Sequence, residues 1–133
     1  MKQAIAAISL LVPDYDEAIK YYTTVLGFEL CEDLTLAPGK RWVTVAPPGG
    51  SGPRLLLARA ANAEQSSRIG NQTGGRVFLF LHTDDFQRDH CAYLSRGVVF
   101  VGETRTEPYG RVAVFRDRYG NLWDLIEPAN SVA

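Results

Sequence analysis

The chain has 133 residues, enough for one domain that buries roughly two thirds of its unfolded surface without a metal or disulfide staple. Fourteen basic residues stand against 15 acidic ones, for a net charge of −1, and no run of like charges occurs. That balance excludes the basic footprint of a nucleic-acid or membrane-surface binder, and no apolar run approaches the ~20 residues of a membrane span. Met1-Lys2 leads into a strand pattern without a signal peptide, so the reading is cytoplasmic, with a small molecule or a second copy of the chain as partner.

Ala4 to Val12 is almost wholly apolar and ends at Pro13, the pattern of a strand buried on both faces. Asp14 with Glu17 forms a capping box, and Tyr15, Ala18, Ile19, Tyr22, Val25 and Leu26 recur at helical spacing until Gly27 stops the helix. Phe28 to Leu36 and Arg41 to Ala46 read as strands around a Pro38-Gly39 turn. Pro47 to Pro53 is a loop, and Arg54 to Arg59 a further strand. The two cysteines, Cys31 and Cys91, lack CxxC spacing and are read as small buried apolar groups.

Ala60 to Gly75 loses the hydrophobic pattern and makes a polar connection, with room for one helical turn and a lid role. After it the first pattern returns. Val12 falls on Thr83, Asp14 on Asp85, Tyr15 on Phe86 and Tyr22 on Tyr93, while Gly27 falls on Gly97. Arg76 to Thr83 repeats the strand and Asp85 to Arg96 the helix. Val98 to Val101, Arg111 to Arg116 and Asn121 to Glu127 supply three more strands around the turns Pro108-Tyr109-Gly110 and Asp117 to Asn121. His90, on the packed helix face, reads as a core histidine. The expected fold is α+β: two tandem βαβββ modules forming a curved mixed sheet around a concave pocket. Module 1 spans residues 1–60, the linker or lid 61–75, and module 2 residues 76–133.

Strand alternation sorts the side chains into a face under the helix and an open face. Ile5, Ala7, Ser9 and Leu11 in the first strand, and Arg76, Phe78, Phe80 and His82 in its repeat, fall on the open face, since Arg76 unpaired under a helix would cost several kcal/mol. Arg54, Leu56 and Ala58 join them. In the last strand Trp123 and Leu125 suit the helix side and Asp124 the open one. Arg76 and Asp124 are placed to form an ion pair or, alternatively, to leave Arg76 for a ligand carboxylate or phosphate. Phe78 and Phe80, with Trp42 and Tyr109, would line the pocket with aromatic walls.

A doubled module with "DYDEAIKYYTTVLGFEL" in one half and "DRYGNLWDLIEP" closing the other resembles the vicinal oxygen chelate superfamily. Its members include glyoxalase I, extradiol dioxygenases, methylmalonyl-CoA epimerases and the fosfomycin- and bleomycin-resistance proteins. The resemblance implies metal-ligand positions at Ala7, Leu56, Phe78 and Asp124, three of which carry no donor atom, whereas a catalytic divalent site needs about three protein ligands. It therefore implies a member without a metal or other cofactor, binding a small organic molecule between the modules, as bleomycin-resistance proteins do by sequestration. The candidate ligand-binding set is Ser9, Trp42, Leu56, Arg76, Phe78, Phe80, His82, Tyr109 and Asp124. The alternative is a metal-dependent lyase, isomerase or dioxygenase with a relocated site around His82 and Asp124, assisted by Glu127 or His90, in which His82 is the candidate proton-transfer group. A homodimer is expected from the family's habit of pairing modules between chains.

Overall fold

The computed structural model describes residues 1–129, so Asn130 to Ala133 of the expected second module lie outside the described residues. The chain divides into two compact units, residues 1–69 and the part from Gly70 onward, each holding one βαβββ module. Unit 1 contains β1 (Ala7–Val12), α1 (Tyr15–Lys20) continued by a π-helical turn (Tyr21–Val25), β2 (Glu29–Ala37), β3 (Lys40–Ala46), β4 (Arg54–Arg59) and α2 (Ala63–Arg68). Unit 2 contains β5 (Leu79–His82), α3 (Phe86–Ser95), β6 (Val99–Glu107), β7 (Gly110–Arg116) and β8 (Leu122–Pro128). Hydrogen bonding makes two four-stranded mixed sheets of identical topology, β1-β4-β3-β2 and β5-β8-β7-β6, in which only the first pair of each is parallel. Among the described residues no helix is long and apolar enough to cross a membrane.

In unit 1 the side of the sheet carrying Leu10, Val12, Val43, Val45, Leu55 and Leu57 is buried together with Tyr15, Ala18, Tyr22 and Leu26 of the helix. Asp14 caps that helix, accepting from the Glu17 N–H at 2.8 Å. The expected single helix opens at Tyr21 because its last bonds span five or six residues: the Leu26 N–H reaches the Tyr21 carbonyl and the Phe28 N–H that of Tyr22. In unit 2, α3 ends one residue sooner, with Gly97 N–H on the Leu94 carbonyl and Val98 N–H on that of Tyr93, a Schellman closure. Gly27 (φ 75°) and Gly97 (φ 85°) both supply the left-handed residue that ends the helix.

The core of unit 2 is aromatic. Phe115 stacks on Trp123 at 5.6 Å and meets Tyr93 edge-on at 5.3 Å, and Leu125 and Phe86 complete it. The polar connection holds the helix α2, capped by Asn62, which accepts from the Gln65 N–H at 2.9 Å.

Four further expectations change, one being that the strand expected over Val98 to Val101 runs from Val99 to Glu107. The first strand begins at Ala7 rather than Ala4, and Met1 to Ala6 are exposed. The repeat strand begins at Leu79 rather than Arg76, because a turn over residues 72–75 with left-handed Gly74 and Gly75 runs up to it. Both cysteines are exposed rather than buried: Cys31 interrupts the pairing of edge strand β2, whose side chains are nearly all exposed, and Cys91 lies on the outer side of α3.

Candidate functional site

In unit 1 the strand register sets Ser9, Leu56, Thr44 and Glu32 in one row across the sheet, on the face turned away from α1. Trp42 stands two residues from Thr44 on the same face, opposite Leu34. Glu32 is the hub: one carboxylate oxygen accepts from Trp42 Nε1 at 3.3 Å, Thr44 Oγ1 at 3.0 Å and the Arg54 guanidinium at 3.0 Å. These bonds hold the Glu32 carboxyl below its usual range, that from Trp42 contributing most. Sequence reasoning placed Ser9, Trp42 and Leu56 here but missed Glu32 and Thr44. The usable signal was the alternation running from Trp42 back through the Pro38-Gly39 turn into β2.

In unit 2 the corresponding row is Phe80, Asp124, Val114 and Val101, on the face turned away from α3. It runs from an exposed Phe80 (63% accessible) to a buried Asp124 (6%) and on to apolar valines. The Asp124 Oδ1 has no hydrogen-bond partner. Burial pushes its carboxyl above the ordinary aspartate range, only partly opposed by the charge of Arg105. His82 lies two residues beyond Phe80 on the same face, exposed and opposite Ile126. Phe78 precedes the strand, half-buried, its N–H donating to the Leu122 carbonyl at 2.8 Å.

The expected Arg76–Asp124 ion pair does not form among the described residues. Arg76 is exposed at the end of the glycine turn rather than on the strand, so strand alternation does not govern where it points. Tyr109 occupies the β6–β7 turn and is 52% accessible, away from the Asp124 row. His90 is sandwiched between Phe86 (5.2 Å) and Phe100 (4.4 Å), a packing role. Glu127 holds the start of α3 by accepting from the Phe86 N–H at 2.8 Å.

The "DRYGN" motif is likewise architectural. Asp117 is 5% accessible and accepts from the backbone N–H groups of Tyr119, Gly120 and Asn121, the Asn121 amide and Trp123 Nε1, all at 2.9–3.1 Å. One carboxylate thereby closes the β7–β8 connection and anchors the core tryptophan. Gly70 packs against it so closely that a Cβ there would lie 1.8 Å from the Tyr119 carbonyl oxygen.

Of the four metal-ligand positions that the family resemblance implies, Ala7, Leu56 and Phe78 carry no donor atom and Asp124 stands alone. Among the described residues no group of three or more His, Cys, Asp or Glu side chains comes together. This donor set does not fit a catalytic divalent ion.

A family model described as the Glyoxalase/Bleomycin resistance protein/Dioxygenase superfamily matches residues 4–125. The chain belongs to that superfamily. A Shewanella frigidimarina protein is 56% identical over 96% of this chain and 95% of its own length. Among solved structures, UcmS2 has a TM-score of 0.81 and 28% identity, covering 96% of this chain and 99% of that one. TnmS3, an antibiotic binding protein from Streptomyces sp. CB03234, has a TM-score of 0.76 and 30% identity, covering 96% and 98%. The superfamily hosts several chemistries, so membership fixes the fold and leaves the activity to the site.

Proposed function

We propose that this superfamily member binds a small organic molecule on the sheet face turned away from α3 and sequesters it, with no metal and no turnover. One observation carries the reading: on that face a large exposed aromatic, Phe80, stands beside a buried carboxylate set among apolar side chains. An apolar wall with a single convergent polar group is the usual make-up of a small-molecule site. The likeness to the antibiotic binding protein TnmS3 supports the same class of ligand. The absence of donor atoms at Ala7, Leu56 and Phe78 supports binding without a metal. Exposed Leu30, Leu34 and Leu36 on edge strand β2 support a homodimer, which sedimentation equilibrium would register.

Fluorescence titration with doxorubicin, an aromatic antibiotic, tests the reading. Saturation at one equivalent per chain, unchanged by EDTA and with the drug recovered intact, is expected. A requirement for a divalent ion, or no saturable binding, would overturn it. Conversion of the drug that is lost in His82→Ala would transfer the case to an enzyme built around His82 and Asp124.

A further inference from the structure

The row through Asp124 carries a more specific consequence, resting on the small-molecule reading above. We infer that the site selects ligands carrying a cationic amine on a flat apolar scaffold, the amine seated on Asp124 and the scaffold lying against Phe80. Asp124 is buried to 6% accessibility, with one carboxylate oxygen lacking any hydrogen-bond donor. A buried carboxylate left in that condition costs folding free energy that the chain does not recover internally.

The register row of Asp124 carries no donor, and the two arginines of that face, Arg105 opposite Val112 and Arg116 opposite Leu122, donate nothing to its Oδ1. Its register partners are Phe80 on one side and Val114 on the other, followed by Val101, and Leu122 and Ile126 flank it on the same face of β8. Arg105, the cation whose charge acts on it, instead hydrogen-bonds Glu107 at 3.2 Å. A ligand N–H group of positive charge satisfies both the empty acceptor and the uncompensated charge, and charge-assisted bonds of this kind are the strong ones. A neutral hydroxyl satisfies only the acceptor. The exposed ring of Phe80, one strand away in the same row, offers the contact surface for the scaffold and a face for cation–π attraction.

The contrast with unit 1 locates the selectivity. There the equivalent of Asp124 in the sheet register is Leu56, and the acid of that face, Glu32, already has three donors. Of these two register rows, the second leaves a buried carboxylate for an incoming group.

A matched pair of fluorescent probes decides the matter: pyrenemethylamine and pyrenemethanol, alike in shape and different in charge. The amine is expected to bind about tenfold more tightly than the alcohol at neutral pH. Asp124→Asn should erase that preference, bringing the amine's affinity to that of the alcohol, and Phe80→Ala should weaken both probes together. Circular dichroism confirms that each variant is folded. Should Asp124→Asn fail to fold, Asp124→Leu, which places the residue type of Leu56 in the same row, gives the same comparison. Equal binding of amine and alcohol, or an amine preference that survives the loss of the carboxylate, overturns the inference and leaves the small-molecule reading standing. Failure of both probes to bind overturns the two together.

Discussion

Glu32 and Asp124 are both acids on a sheet face turned away from the module's helix, and both lie in the central register row of their own sheet. Glu32 accepts three hydrogen bonds on one oxygen and sits below its ordinary pKa. Asp124 is more deeply buried, has an unpartnered oxygen and sits above its own. The two copies therefore share topology and differ in electrostatics: the first satisfies its acid internally and the second does not. Unsatisfied buried polar groups are rare because they are costly, so the second module is where a binding function is to be sought.

The largest predicted effect tests how the second module tolerates its burden. Asp117→Ala removes the acceptor of five donors, three of them backbone N–H groups beside a buried turn. A loss of about 3–5 kcal/mol is expected, the range for breaking a buried charged network. Urea unfolding followed by tryptophan fluorescence would read it, since Trp123 loses its bond to Asp117 while Trp42 keeps Glu32. A midpoint close to wild type would show that the turn is held by its backbone alone.

Much of this architecture is legible in the sequence, and the failures have identifiable causes. The shift in offset between Tyr22/Tyr93 and Gly27/Gly97 signals one extra residue in the first helix, and the structure absorbs it as the π-helical turn. Alternation placed Trp123 and Leu125 under α3 and Asp124 opposite because side-chain chemistry separates the two sets, although β8 is buried on both faces. It failed for Arg76, where glycine turn geometry delays the start of the strand, and for Cys31, where an edge strand leaves both faces accessible. Glu32 escaped notice because its role arises from three donors on two other strands, and alternation carried back from Trp42 gives its face but not those partners.

The next effect has the opposite sign. Asp124→Leu gives the second row the residue type that the first carries at Leu56, and it removes an uncompensated buried carboxylate. A gain of roughly 1–3 kcal/mol at neutral pH is expected, with loss of amine binding, the exchange of stability for function that strained sites show. The raised pKa of Asp124 means that the folded state holds this proton more tightly than the unfolded chain. The wild-type penalty is therefore absent below the unfolded value of about 3.9 and complete above the raised folded value. The variant's advantage should accordingly shrink on acidification. A destabilised variant at every pH would mean that the carboxylate fits its surroundings better than its missing partner indicates.

Glu32→Gln is expected to have the smallest effect, because the Glu32–Arg54 pair is well exposed to solvent and such pairs contribute little. Its pH dependence is the informative part. A lowered folded-state pKa means that Glu32 adds stability above the unfolded glutamate value of about 4.3, and that this is lost as pH falls through the lower folded value. The variant should thus be slightly less stable than wild type at neutral pH and should converge on it in acid. Asp124→Leu should converge on wild type from the other side. Thermal melts of both variants over the same pH series would display that pair of opposed curves if the two modules treat their acids as the geometry indicates. Displacements of the same sign, or curves that run parallel to wild type, would remove the electrostatic distinction between the modules and with it the reason for placing the ligand at the second.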